Sequence, residues 1–259
     1  MYCEQLRNRK IVGLDPGKFN LVYMTDGKHQ LQYTAFQRRR ESTLTRNERI
    51  RKVLKRKDGL VSQCEKAFLA HNSKTMDVEK FKEYVRAKNT LNAALSEFYC
   101  RQVHRKMKWR QAVYARKSED RFIVRMRQLY GKNAVVAYGN WSRTTQMRHF
   151  VPAKAVGMRR LISRHFQTFL VDEFRTSKLC CNCHKELSHV KIKHEAGNKK
   201  LFRCLVCEEC RCARYESPQR VFLTRDLNAA LNIRRIAREW LARQTRPAAF
   251  RRNPNTQGG

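Results

Sequence analysis

The chain opens with three short apolar runs separated by turn residues. KIVGLDPG ends in Pro-Gly, LVYMTDG ends in Asp-Gly, and QLQYTAF follows. Runs of this length between turn formers predict three strands in an antiparallel meander. From Asp77 to Arg116 the period lengthens. Phe81, Tyr84, Val85, Leu91, Leu95, Phe98, Val103 and Met107 recur at three- and four-residue steps. That is one face of a helix, and core packing is the expected use of it. SEDRFIVRMRQLYG predicts a further helix, with Ser118 as N-cap and Gly131 as its stop. NAVVAYGNW reads as a buried strand, Pro152 to Phe166 as a helix and TFLVDEF as another strand. Arg225 to Arg243, RDLNAALNIRRIAREWLAR, is a strong amphipathic helix, and the tail RPAAFRRNPNTQGG is expected to fray. No internal repeat interrupts this order.

Three strands, helices, strand, helix, strand, a cysteine-rich insert and a last helix make an α/β arrangement with an antiparallel start. It is the element order of an RNase H-like domain with an insert before the final helix.

Charge narrows the partners. The 259 residues hold 57 Lys and Arg against 22 Asp and Glu, a formal net charge of +35. So basic a surface repels itself unless a polyanion neutralises it, which points to nucleic acid. No run of 18 apolar residues exists, and the start MYCEQLRNRK is too polar for a signal peptide, so neither a membrane span nor secretion is expected. Gln37 to Lys57 is dense in Arg and Lys, and Arg38, Arg39 and Arg40 are candidate phosphate contacts. The same clusters, with Arg51 to Lys57, would serve nuclear import.

Against this background a few acids stand out. Asp15 sits where a strand gives way to Pro-Gly, Asp172 and Glu173 end an apolar run, and Asp226 opens the last helix. Phosphodiester hydrolysis can use two divalent cations about 4 Å apart, and Mg²⁺ takes carboxylate oxygens. Acids at strand ends and helix starts of one sheet can converge although distant in sequence. The strand pleat puts Glu173 on one side with Phe169 and Val171, and Asp172 on the other with Leu170 and Phe174. Both sides are apolar, so the pattern does not choose between the two acids. Arg225, before the last acid, is a weaker candidate phosphate contact.

Seven of the ten cysteines fall between Cys180 and Cys212. Cys3, Cys64 and Cys100 are scattered and read as ordinary thiols. Cys180-x2-Cys183 is followed by Cys204-x2-Cys207 and Cys207-x2-Cys210, spacings that predict a four-cysteine zinc ribbon. Cys204 and Cys207 are taken as the second pair, with Cys210 the rival. His184, His189 and His194 are possible substitutes. Four thiolates leave zinc no open position, so this one Zn²⁺ is expected to be structural.

LDPG, TSK-x-C-x2-C, a later cysteine pair and RDLNAALNI, in that order, resemble the RuvC-like nuclease and zinc ribbon of the transposon-encoded TnpB proteins. QYTAFQRRRES and VDEFRTSKLC are similar to stretches of their eukaryotic and viral relatives, the Fanzor proteins. The likeness spans about residues 11 to 235. It implies an RNA-guided DNA endonuclease, a phosphodiester hydrolase that uses two Mg²⁺ and takes a guide RNA and a DNA target. TnpB proteins carry their second acid after the fourth strand, where this chain has Tyr138, Gly139 and Asn140. Fanzor proteins carry a relocated glutamate that falls on Glu173, so the resemblance implies Asp15, Glu173 and Asp226 as the metal-binding triad. It also implies a RuvC-like domain over 1–175 with a helical basic segment at 37–131, a zinc-ribbon insert at 176–222, the last helix at 223–245 and a disordered tail at 246–259. Family members carry wedge and recognition domains before the first aspartate. Only 14 residues precede it here, so the chain looks like the nuclease portion. Two other readings stand beside this one. The first is a truncated or catalytically impaired nucleic-acid-binding protein with a structural zinc ribbon. The second is an unguided resolvase or single-strand nuclease.

Overall fold

A computed structural model describes residues 6, 8–140, 154–194, 197–212 and 219–252. The chain is a mixed α/β protein and divides into two units. The first comprises 1–35 and 121–259, and the second 36–120.

The first unit is built on a five-stranded sheet. β1 (Ile11–Asp15), β2 (Asn20–Thr25) and β3 (Gln30–Thr34) form the expected antiparallel meander. The β2–β3 turn is fixed by Asp26, whose side chain accepts from the Lys28 and His29 N–H groups at 2.9 and 2.7 Å, while Gly27 takes φ +93°. β4 (Val135–Gly139) runs parallel to β1, and β5 (Gln167–Val171) runs parallel to β4, giving the order β3-β2-β1-β4-β5.

Strand alternation sorts the sheet into two apolar faces. Val12, Leu14, Val136 and Tyr138 pack on one side with Phe122, Met126, Met158 and Ile162. Ile11, Val135 and Ala137 pack on the other with Ile233, Ile236, Ala237 and Leu241. The helix that supplies these last four is Arg225–Arg243, at the bounds the periodicity predicts. It lies on β1 so closely that a Cβ at Gly13 would come within 2.0 Å of the Ala230 carbonyl oxygen.

The second unit is helical. α1 (Ala35–Glu41), α2 (Leu44–Lys57), α3 (Leu60–Leu69), α4 (Val78–Tyr99) and α5 (Gln102–Tyr130) follow in order, and α1 and α5 run on into the first unit. Asp77 caps α4 by accepting from the Glu79 and Lys80 N–H groups. Two expectations are corrected here. The periodic stretch breaks at Cys100–Arg101, where Arg101 pairs with Asp58 at 2.7 Å and stacks over the buried Phe98 ring at 5.0 Å. Ser118 is no cap but a buried residue inside α5, whereas Gly131 does end that helix at φ +85°. The apolar stripe is also mostly not core. Phe98 and Met107 are buried, but Phe81 is 46% exposed and Val85 and Val103 are 38% exposed. α4 packs chiefly on the shorter α3, as in the Phe68–Tyr84 contact at 5.2 Å, so one partner helix leaves part of the stripe open.

α6 (Ala155–Ser163) follows β4, inside the expected range of Pro152 to Phe166; residues 141–153 lie outside the described residues. After β5 comes a three-stranded antiparallel sheet, β6 (Ser188–His194), β7 (Gly197–Cys212) and β8 (Gln219–Thr224). β8 leads directly into the last helix, α7 (Arg225–Arg243), which Thr224 caps through the Leu227 N–H. The tail does not fray at once. Ala248–Phe250 forms a 3₁₀ turn with Phe250 fully buried, and 253–259 lie outside the described residues. Among the described residues no helix is long and apolar enough to cross a membrane.

Gly13→Val forces a side chain into the Ala230 backbone, where no flexible group can yield. We expect a loss of about 1–3 kcal/mol or more in unfolding free energy, read from denaturant midpoints.

Candidate metal centres

β1 and β4 are parallel and in register, Leu14 opposite Tyr138, so their C-terminal ends lie together. One residue on, Asp15 and Gly139 share the face that α7 covers, because Gly13 and Ala137 do. Gly139 has no side chain, and the space is taken. A Cβ there would meet the Glu173 Oε1 at 2.1 Å and the Pro16 ring at 2.9 Å. Glu173 therefore reaches back over the end of β4, into the place where an acid on that strand would stand.

Asp226 closes the group from the first turn of α7. Asn20 donates to its Oδ2 at 2.5 Å, and Arg203 of β7 donates to the same oxygen at 3.0 Å. Burial pushes the Asp15 carboxyl well above the usual carboxylate range. The Glu173 and Asp226 carboxylates push it the same way, and Arg225 partly offsets them. Glu173 and Asp226 are thus close enough to disfavour the charge on Asp15, an environment that a bound cation relieves. The donors are hard oxygens, as Mg²⁺ requires.

Asp172 has a different use. β5 stops at Val171, so the pleat never reaches either acid. Arg252 grips both Asp172 oxygens at 3.0 and 3.1 Å, and Arg246 donates to its backbone carbonyl at 2.8 Å. The Arg252 hydrogen bonds hold its carboxyl below the usual range, against some burial. Asp172 fastens the C-terminal segment to the end of β5.

The cysteine segment is rooted on α7 by two buried asparagines. Asn228 and Asn232 both donate to the Thr176 and Leu179 carbonyls at 2.8–3.2 Å, and Asn228 accepts from the Cys181 N–H at 2.9 Å. Cys180, Cys183, Cys207 and Cys210 converge, their sulfurs all within 4.8 Å of one another. Cys180 to Cys210 is 3.8 Å and Cys183 to Cys207 is 3.5 Å. Sulfurs about 2.3 Å from a tetrahedral zinc stand about 3.8 Å apart, so the group fits the ion.

The expected ligand Cys204 is not in the group, and Cys210 takes its place. Cys204 is paired in register with Thr224 in the regular ladder, while the β7–β8 register breaks between Cys207 and Arg211. The break makes a tight loop in which the Cys210 N–H points at the Cys207 sulfur, 3.4 Å away; the Asn182 N–H does the same to Cys180 at 3.5 Å. Of the histidines, His184 bonds Arg235 and His189 meets the Phe202 ring; the His194 side chain lies outside the described residues.

The candidate phosphate contacts divide. Arg38 pairs with Glu119 at 2.9 Å and Arg39 with Glu48 at 2.9 Å, whereas Arg40 and Arg225 are exposed. No family model matches the chain, and no curated protein matches it.

Sequence reasoning passed over Asn20, Arg203, Asn228 and Asn232, and took from Gly139 only the absence of an acid. Only the two α7 asparagines carried a signal. They fall four apart on the apolar face of an amphipathic helix, where a buried amide needs partners.

Cys210→Ser should purify without zinc, and Cys204→Ser should carry one equivalent. Metal content of the purified variants by mass spectrometry checks this, and zinc retained by Cys210→Ser would restore Cys204 as the ligand.

Proposed function

We propose that the chain is a Mg²⁺-dependent endonuclease with an RNase H-like, RuvC-type domain and a zinc ribbon. We propose further that it is guided by RNA to DNA, as in the Fanzor and TnpB proteins it resembles. The observation that carries the reading is the electrostatic coupling of Asp15 to Glu173 and Asp226, which with burial hold its carboxyl above the usual carboxylate range. The strand order, an antiparallel triplet followed by two parallel strands, supports the fold assignment.

Asp15, Glu173 and Asp226 would hold the Mg²⁺ ions, which supply Lewis-acid stabilisation to the attacking and leaving oxygens. Asn20 orients the Asp226 carboxylate. Arg225, exposed beside Asp15, is set to meet a phosphate oxygen. Cys180, Cys183, Cys207 and Cys210 would hold a structural zinc that keeps the insert folded, with no coordination position left for chemistry.

One observation favours the second reading, a nucleic-acid-binding protein that does not cut. Asp226 Oδ2 already accepts from both Asn20 and Arg203, so Arg203 must leave before that oxygen can serve a metal.

Asp15→Asn, Glu173→Gln and Asp226→Asn should each lower Mg²⁺-dependent DNA cleavage by about a thousandfold or more, the equivalent of several kcal/mol of transition-state stabilisation. Asp172→Asn should cut at close to the wild-type rate. Mg²⁺ should raise the Tm of the wild-type protein and not that of Asp15→Asn. No Mg²⁺-dependent Tm shift and no cleavage, with nucleic-acid binding intact, would establish the second reading.

Gly139→Ala places a methyl on the Glu173 carboxylate. Its cleavage rate should fall on the order of a hundredfold, the scale of a misplaced catalytic group. The Tm should change much less, since the displaced atoms are chiefly the end of a flexible side chain. A normal rate in this variant removes Glu173 from the assignment.

A further inference from the structure

α7 carries a second concentration of chemistry that the carboxylate group does not use. A cavity of about 530 Å³ lies along its C-terminal half, lined by Arg234, Arg235, Arg238 and Arg243, with Glu239 the acidic residue and Asn182 of the cysteine segment at its wall. At 1.5 Å per residue these arginines stand roughly 12–25 Å along the helix from Asp226, so the cavity is distinct from the carboxylate group.

The arginines are held and their donors are left over. The Arg234 Nε donates to the Ile11 carbonyl at 3.0 Å, and its guanidinium lies on Gly27, whose missing side chain leaves the room. That bond uses one of five N–H donors. Arg235 is fixed through one nitrogen, which donates to the Cys181 carbonyl at 3.0 Å and meets the His184 ring. Arg238 is exposed and has no carboxylate partner among the described residues, while Arg243 stands 3.7 Å from Glu239. Burial and the neighbouring Arg238 lower the Arg234 pKa, with Asp26 opposing. Like charges gathered in a concave site are an arrangement that an anion stabilises.

We propose that this cavity binds backbone phosphates of a single nucleic-acid strand. Guanidinium forks match phosphate oxygens in shape and charge, and two of the forks are pre-set by backbone carbonyls, which lowers the entropy lost on binding. A net charge of +35 makes a polyanion the expected partner. A concave site of this size admits one strand and its sugars. The phosphate of a free nucleotide has the same chemistry, so the test separates the two sources.

The experiment measures binding of single-stranded RNA and DNA oligonucleotides by fluorescence anisotropy over a salt series. Mg²⁺ is left out rather than chelated, because a chelator would strip the cysteine site. Wild type is compared with Arg238→Gln, with Arg234→Lys/Arg238→Gln, and with Arg125→Gln/Arg160→Gln. The last removes two exposed arginines elsewhere in the same unit. The log–log salt slope should fall by about 0.7 for each lost phosphate contact in the cavity variants and stay unchanged in the control. Arg238→Gln should weaken binding about tenfold at low salt, the lower end of the range for a charge-assisted contact. Arg238 is exposed, so this variant decides the matter even if the double variant does not fold. Equal losses in the control and cavity variants would overturn the proposal, since net charge alone would then explain the binding. Competition by adenosine monophosphate or inorganic phosphate as effective as by the oligonucleotide would overturn it too, in favour of a free-nucleotide site. The readout needs no cleavage, so a chain that never cuts DNA leaves the test intact.

Discussion

At Gly13 the last helix rests on the first strand backbone to backbone. The Ala230 carbonyl occupies the volume of the missing Cβ, and the next turn of the helix presses Arg234 against the same residue. This close approach fixes the height and rotation of α7 over the sheet. Everything else on that helix follows from its 3.6-residue period. Asp226, one turn earlier, comes over the end of β1, where Asp15 lies. Asn228 and Asn232 face the Thr176–Cys181 segment and fasten the cysteine insert. Ile233, Ile236 and Ala237 fill the core below. A single contact thus sets the carboxylates, the cysteine insert and the arginine cavity in one frame.

The carboxylate group is under electrostatic tension of a particular kind. A chain with so large an excess of positive charge needs no local cluster of acids to fold, and burial of Asp15 beside two others costs stability without a cation. The protein tempers this only in part. Arg203 and Asn20 take one oxygen of Asp226, and Arg225 lowers the proton affinity of Asp15. Arg203 and Arg225 are exposed, so their part of the compensation is reversible, whereas Asn20 is buried. Asp172, one residue from Glu173, is treated in the opposite way, fully engaged by two arginines of the C-terminal segment. Adjacent acids in one short sequence therefore carry opposite roles because one turns inward over Gly139 and the other outward toward Arg252.

Much of this was legible in the sequence where a period or a turn residue wrote it. The meander, β4, β5, α7 and the end of α5 at Gly131 follow from alternation, amphipathicity and glycine. The break at Cys100–Arg101 was not, because no Pro or Gly marks it; there Arg101 pairs with Asp58 after α2 and lies over the Phe98 ring of α4. The α4 stripe has a genuine helical period, yet a period states which face is apolar and not whether a partner covers it. For the cysteines, both candidate pairs have the same spacing. Only the register break between Cys207 and Arg211 tells them apart, and that break arises from pairing with β8. The choice between Asp172 and Glu173 was beyond any alternation argument, since the strand ends before both.

The empty place on β4 carries the last step. Parallel strands bring their C-terminal ends to one edge, and ligands collect there because loops can converge on it. Asp15 uses the end of β1 directly. The neighbouring strand ends instead in a residue with no side chain, and the acid that stands over it comes from beyond β5. Any side chain at 139 would exclude Glu173, and any strand acid there would meet it in the same volume. Gly139 and Glu173 therefore form one structural unit, in which the glycine is the socket and the glutamate fills it. A change at either position is felt at the other, although 33 residues of chain, with α6 and β5 among them, lie between.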